Sequence, residues 1–278
     1  INFLKKRWII GLLKVIILSA CGYFIFSKVA ERSISIENIS LPENFYSVLF
    51  IVVLLMPLNW FLEAYRWKLS ISEFEEIDIK TSIKTILSGL ALNWFLPFTS
   101  GDLIARVSSQ KDKYQTTSAA VLNRALMMTF TLIFGIYGFS FLAEDVVLST
   151  WFIAPLLVFL LIVAWFSKKL VDRFLIYFRK LSNRSIFQLI SISLIRYLIF
   201  VLQFFLILHS FLSELSFELL LAGIGWIFFA RSIFPLFFGG VGVREASGIF
   251  FFENHVNDLM LVFIPIFIIW IINTVLPS

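Results

Sequence analysis

Residues 231–248 read RSIFPLFFGGVGVREASG and interrupt a strongly apolar part of the chain. Pro235 removes a backbone hydrogen-bond donor, and Gly239, Gly240 and Gly242 allow dihedral angles that other residues avoid. A helix broken in this way exposes backbone groups that lipid cannot satisfy, so protein or water must line the break. The helix that restarts after the glycines presents free N–H groups and the positive end of its dipole, which favours an anion.

A second copy of this element lies 138 residues earlier in the chain. The ten residues that begin at position 97 read PFTSGDLIAR, and the ten that begin at position 235 read PLFFGGVGVR. The residues that coincide are Pro97 with Pro235, Gly101 with Gly239, and Arg106 with Arg244. The apolar segments on either side keep the same offset, which indicates an internal repeat.

The composition is that of a helical protein with many membrane-spanning segments. Hydrophobic residues make up 60% of the 278 residues, 34 of them are phenylalanine, and the mean hydropathy is +0.94. The net charge of +5 is assigned to orientation in the membrane and to lipid headgroups, because no nucleic-acid-binding signature accompanies it. The single cysteine, Cys21, excludes an internal disulfide.

The apolar pattern predicts an all-α polytopic membrane protein with six full crossings and two re-entrant helical hairpins. The crossings are predicted at 8–27, 45–67, 116–143, 146–166, 185–212 and 257–275, and the hairpins at 81–110 and 217–253. The chain then divides into two membrane repeats, 1–143 and 144–278. Each repeat has three full crossings, so the second is inverted: the first hairpin enters from the cytoplasm and the second from outside. Basic residues concentrate in the segments assigned to the cytoplasm, which places both termini there.

Two motifs resemble a known family. Residues 93–106 read NWFLPFTSGDLIAR and residues 239–245 read GGVGVRE, and this pairing resembles the lysylphosphatidylglycerol synthase transmembrane region, also called the flippase-like family. The resemblance extends over nearly the whole chain. It implies a protein of a bacterial or archaeal cytoplasmic membrane that moves phospholipids or isoprenoid-linked lipids between leaflets. The best-known members carry an aminoacyl-transferase domain after the membrane part, and lysine transfer is not expected of the present sequence, which ends without one.

The predicted site lies where the two hairpins face each other near the middle of the bilayer. Discontinuous helices in inverted repeats place substrate there, with helix dipoles aimed at anionic groups. Arg106 and Arg244 are expected to hold a lipid phosphate, and Arg124 and Arg196 are expected to line the same path. The predicted substrate-binding residues are Asn93, Gly101, Asp102, Arg106, Arg124, Arg196, Arg231, Gly239, Gly240, Gly242, Arg244 and Glu245.

A purely structural interpretation of the two hairpin arginines stays open. Arg106 would then pair with Asp102 four residues earlier, and Arg244 would pair with Glu245 or Glu253. In that case the arginines stabilise the hairpins and bind nothing.

The second crossing also carries a polar face. Asn59, Glu63 and Arg66 share one side of the helix by their spacing, and they form either a polar lip for headgroups or a plain ion pair at the helix end. Asn93 is expected to cap backbone carbonyls or to contact substrate. Gln203 lies on the same face as the arginine of its crossing and would extend the polar path.

These observations predict a lipid translocase, in which one repeat rocks against the other around a bound headgroup. Proton coupling through Asp102, Glu245 or Glu63, or downhill flow, would drive it. The alternatives are an intramembrane enzyme acting on a phosphate-bearing lipid, or an accessory subunit of a glycosyltransferase or aminoacyl-lipid system. No catalytic motif is legible, so an enzyme is not expected, and neither is a cofactor or a metal site. The expected partners are anionic membrane lipids, with a second copy or a lipid-modifying enzyme left open.

Overall fold

A computed structural model describes residues 2–31, 41–93, 96, 100–142, 177–233 and 240–277. Within these residues the secondary structure is helical and contains no strand, which confirms the predicted all-α class. The helices are α1 (Asn2–Glu31), α2 (Phe45–Ile71), α3 (Ile79–Leu92), α4 (Ser100–Ser108), α5 (Lys113–Leu142), α6 (Asn183–Phe211), α7 (Phe217–Ile233), α8 (Val243–Phe252) and α9 (Met260–Trp270), which continues as a π-helix (Ile271–Val275).

Three of these helices are long and apolar enough to cross a membrane. They are α2, α5 and α6, with 27, 30 and 29 residues, and they correspond to the predicted crossings 45–67, 116–143 and 185–212. The predicted crossing 257–275 is shorter in the structure, because the Asp258 side chain accepts a hydrogen bond from the Met260 N–H at 2.9 Å and the helix begins there. The predicted crossing 8–27 falls within α1. The predicted crossing 146–166 lies outside the described residues.

Helices α3 and α4 occupy the predicted first hairpin and pack against each other in antiparallel directions. A side-chain carbon added at Gly89 would lie 2.8 Å from the Cα of Asp102, and one added at Gly101 would lie 2.5 Å from the carbonyl carbon of Leu92. Both distances are far shorter than a normal carbon–carbon contact. Glycine at these two positions therefore allows the two backbones to touch.

Helices α7 and α8 occupy the predicted second hairpin, and they too are antiparallel. A side-chain carbon at Gly223 would lie 2.2 Å from the ring of Phe252, while one at Gly240 would lie 3.0 Å from the Cγ of Arg231. Gly240 and Gly242 have φ values of 83° and 86°, which only glycine adopts readily. These two residues turn the chain into α8.

The helix starts keep the predicted offset in two cases. Helix α6 begins 138 residues after α2, and α7 begins 138 residues after α3. Helices α8 and α9 begin later than that offset requires. The inverted repeat, the re-entry of the hairpins and the division into 1–143 and 144–278 stay predictions.

Two helix pairs join the predicted repeats. Helices α2 and α6 run antiparallel, and the Gln203 amide on α6 donates to the Val52 carbonyl on α2 at 2.9 Å. Helices α5 and α7 approach more closely still: a side-chain carbon at Gly138 would lie 2.3 Å from the carbonyl oxygen of Ala222, and one at Gly225 would lie 2.3 Å from that of Phe134. The predicted repeats therefore share one packed interior.

Candidate functional site

A buried carboxylate with three arginines around it lies between α2, α4 and α6. Glu63 Oε2 accepts hydrogen bonds from Arg66 Nη2 at 2.6 Å and from Arg196 Nη1, and Glu63 Oε1 accepts one from Arg106 Nη2. All four side chains are buried, with Glu63 6% exposed. We call Glu63, Arg66, Arg106 and Arg196 the arginine cluster. It brings together residues up to 133 positions apart in the sequence.

Two of the arginines have further partners in neighbouring helices. Arg66 Nη1 donates to Ser193 Oγ on α6 at 2.8 Å and to the Asn123 carbonyl on α5 at 3.2 Å. Arg196 Nε donates to Asn59 Oδ1 on α2 at 2.9 Å. These bonds fix the position of each guanidinium group without help from Glu63.

The third arginine, Arg106, is held by its own helix and by an aromatic ring. Its Nε donates to Asp102 Oδ1 at 2.8 Å, and its guanidinium lies 4.7 Å from the ring centre of the buried Trp67. The predicted pairing of Arg106 with Asp102 is therefore confirmed, although Arg106 also reaches Glu63. Asn93 Oδ1 accepts a hydrogen bond from the Asp102 N–H at 3.1 Å, so it caps the start of α4 and not a helix carbonyl.

The arginine cluster lacks negative charge and hydrogen-bond acceptors. Three arginines face two carboxylates, those of Glu63 and Asp102, which leaves one positive charge unbalanced. Several buried donor atoms in and beside the cluster have no acceptor among the described residues. They are Arg66 Nε, Arg106 Nη1, Trp67 Nε1 and Asn123 Nδ2. Because buried unpaired donors are costly, the arrangement fits an anion that carries several oxygen atoms.

A second basic group lies at the glycine loop that precedes α8. The aliphatic part of the Arg231 side chain packs on Gly240, and Glu245 Oε2 accepts a hydrogen bond from the Gly242 N–H at 2.6 Å. Arg244 and Glu245 are 2% and 1% exposed. We call Arg231, Arg244 and Glu245, with these two glycines, the loop group.

Helix α5 connects the arginine cluster with the loop group. The Asn123 carbonyl accepts a hydrogen bond from Arg66, while the next residue, Arg124, acts electrostatically on Arg231. Arg124 itself is exposed. The predicted site residue Gly239 lies outside the described residues.

The predicted site residues thus fall into two groups. Arg106, Arg196, Asp102 and Asn93 lie at the arginine cluster, and Arg231, Arg244, Glu245, Gly240 and Gly242 lie at the loop group. A single pocket that contains both Arg106 and Arg244 stays a prediction. Glu253, one of the partners considered for Arg244, pairs with Lys28 at 2.9 Å.

The central position of Glu63 was not predicted from the sequence. The sequence gives one signal for it, because Asn59, Glu63 and Arg66 recur at helical spacing on one face of an apolar helix. The partners of Glu63 on other helices could not be read from that spacing.

Comparison with known families agrees with these motifs. The model of the family described as lysylphosphatidylglycerol synthase TM region matches residues 11–258. The chain belongs to the lysylphosphatidylglycerol synthase TM region family. No curated protein and no solved structure matches the chain. Membership in the lysylphosphatidylglycerol synthase TM region family, together with the apolar helices, makes this a lipid-related membrane protein, and the matched range includes the arginine cluster and the loop group.

Proposed function

We propose that this protein moves a lipid with a phosphate-containing headgroup between the two leaflets of a membrane. The phosphate binds at the arginine cluster while the acyl or isoprenoid chains stay in the bilayer. Membership in a lipid-related family supports the lipid, and the chemistry of the cluster supports the phosphate.

The observation that carries this proposal is the unbalanced charge of the arginine cluster. Burying three arginines among apolar helices is expensive, and ionisable groups kept in such places usually serve function. A phosphate supplies the missing negative charge and several acceptor oxygens at once. Guanidinium groups match phosphate oxygens with paired, charge-assisted hydrogen bonds.

The loop group is assigned a second contact with the headgroup. Arg231 and Arg244 supply positive charge beside the glycine turn at the start of α8, where the helix dipole favours an anion. Since α5 reaches both groups through Asn123 and Arg124, the phosphate would pass along this helix from one group to the other.

A leaflet-exchange assay tests the proposal. Purified protein is placed in phosphatidylcholine vesicles that contain a fluorescent phosphatidylglycerol, and exchange is followed by quenching from outside. We expect Arg106→Gln and Arg196→Gln to slow exchange strongly. Arg184→Gln is the matched control, because Arg184 is exposed outside the cluster and its loss removes the same charge.

Two results would contradict the proposal. Exchange that is unchanged in both cluster variants would remove the arginines from the transport path. A lipid that is chemically altered after incubation with the pure protein, as seen by mass spectrometry, would favour the intramembrane enzyme. An accessory subunit would show neither exchange nor alteration without its partner.

A further inference from the structure

Glu63 occupies the position that an anionic ligand of the arginine cluster would take. Its Oε1 receives Arg106, and its Oε2 receives both Arg66 and Arg196. A carboxylate oxygen and a phosphate oxygen accept the same donors and carry similar charge. The guanidinium groups therefore already converge on one anion, which belongs to the protein itself.

We propose that Glu63 is a built-in competitor of the lipid phosphate. Its carboxylate takes up the three guanidinium groups when no lipid is bound, and it weakens their hold on the phosphate when lipid arrives. This inference rests on the proposed function and assigns a specific role to one residue within it.

The other explanation is that Glu63 only positions the arginines, and their additional bonds argue against it. Arg66 is anchored by Ser193, and Arg196 is anchored by Asn59. The remaining arginine of the cluster is anchored by an ion pair within α4 and by the ring of a buried tryptophan. Each guanidinium group keeps a partner when the Glu63 carboxylate is withdrawn, so the cluster would stay assembled.

Burial makes this competition strong. Glu63 and the arginines are shielded from solvent, so neither water nor salt weakens their interactions as it would at a surface. A phosphate that reaches Arg106 Nη1, which has no acceptor among the described residues, comes close to the like charge of the carboxylate. The repulsion lowers the affinity for the phosphate. A transport site gains from this, because it must bind well enough to be entered and weakly enough to be left.

The test measures binding and exchange separately on the full chain. A short-chain, water-soluble phosphatidylglycerol is titrated into the purified protein, and exchange of the fluorescent lipid is measured as above. We expect Glu63→Gln, which keeps the shape and removes the charge, to bind at least tenfold more tightly and to exchange lipid more slowly. Glu214→Gln is the matched control, because Glu214 is exposed in the turn between α6 and α7.

Glu63→Asp gives a second measurement that keeps the buried charge, should the Gln variant fail to fold. Aspartate draws the carboxylate back by one methylene, so competition predicts tighter binding than in the wild-type protein. Positioning predicts weaker binding, and a Glu63 variant that folds and binds equally or more weakly overturns the inference. If Arg106→Gln binds as well as the wild-type protein, the proposed function itself is wrong, and this outcome does not depend on Glu63.

Discussion

Replacing Gly101 by alanine tests the contact that brings α4, and with it Arg106, to the arginine cluster. The new methyl carbon would lie 2.5 Å from the carbonyl carbon of Leu92, 2.6 Å from the Asn93 nitrogen and 2.7 Å from the Leu92 Cβ. Ordinary carbon contacts lie at about 3.5–4.0 Å, so α3 and α4 must separate by about 1 Å. Two of the three colliding atoms belong to the backbone, which cannot turn aside as a side chain does.

The expected size of the effect follows from two opposing contributions. Overpacking of this kind costs about 1–3 kcal/mol. Alanine in place of glycine in a helix returns about 0.5–1 kcal/mol. We therefore expect the free energy of unfolding to fall by about 1–2 kcal/mol, with a lower Tm. Lipid exchange should fall as well, because Arg106 follows in the same helix and moves away from Glu63 with it.

Gly22→Ala is the matched control for this prediction. The same methyl group added at Gly22, within α1, meets no atom within 4 Å. It should leave Tm unchanged or raise it slightly. Thermal unfolding in detergent, followed by tryptophan fluorescence, compares the two variants. If Gly101→Ala and Gly22→Ala unfold at the same temperature, α3 and α4 do not touch as described.

Three further predictions concern stability and pH, each checked by thermal unfolding. Gly138→Ala should lower the free energy of unfolding by about 1–3 kcal/mol, because its methyl group would collide with the backbone of α7. Tyr177→Phe should cost about 1 kcal/mol through the lost bond to the Ser70 carbonyl; burial raises the pKa of Tyr177, so only the wild-type protein should also lose stability as its phenol ionises above about pH 10. The hydrogen bond from Thr81 lowers the pKa of Asp78, so Asp78→Ala should lower Tm at neutral pH, and this difference should vanish as pH falls below about 4.

The elements that local pattern specifies were predicted well. Helices α3 and α7 begin within two residues of the predicted hairpin starts, because polar residues followed by an apolar run mark a helix start in any fold. Asp78 and its bond to the Thr81 N–H mark the start of α3. The pairing of Arg106 with Asp102 was also readable, since residues four apart share a helix face.

The partners of Glu63 could not be predicted, because they depend on how separate helices pack. Helical spacing shows that Asn59, Glu63 and Arg66 share a face, and it does not show which helix covers that face. Arg196 comes to Glu63 from a helix 133 residues further along, and Arg106 comes from the short α4. The division of the predicted site into the arginine cluster and the loop group is likewise a result of tertiary structure.

The glycine contacts between α5 and α7 restrict how the protein can move. Because the two backbones touch there without side chains between them, these helices behave as a single beam, although one belongs to the first predicted repeat and the other to the second. Prising the repeats apart along this line would open an empty gap in the interior. If the repeats rock, they must pivot on the beam, and the opening that admits a lipid must form on a face of the protein away from it.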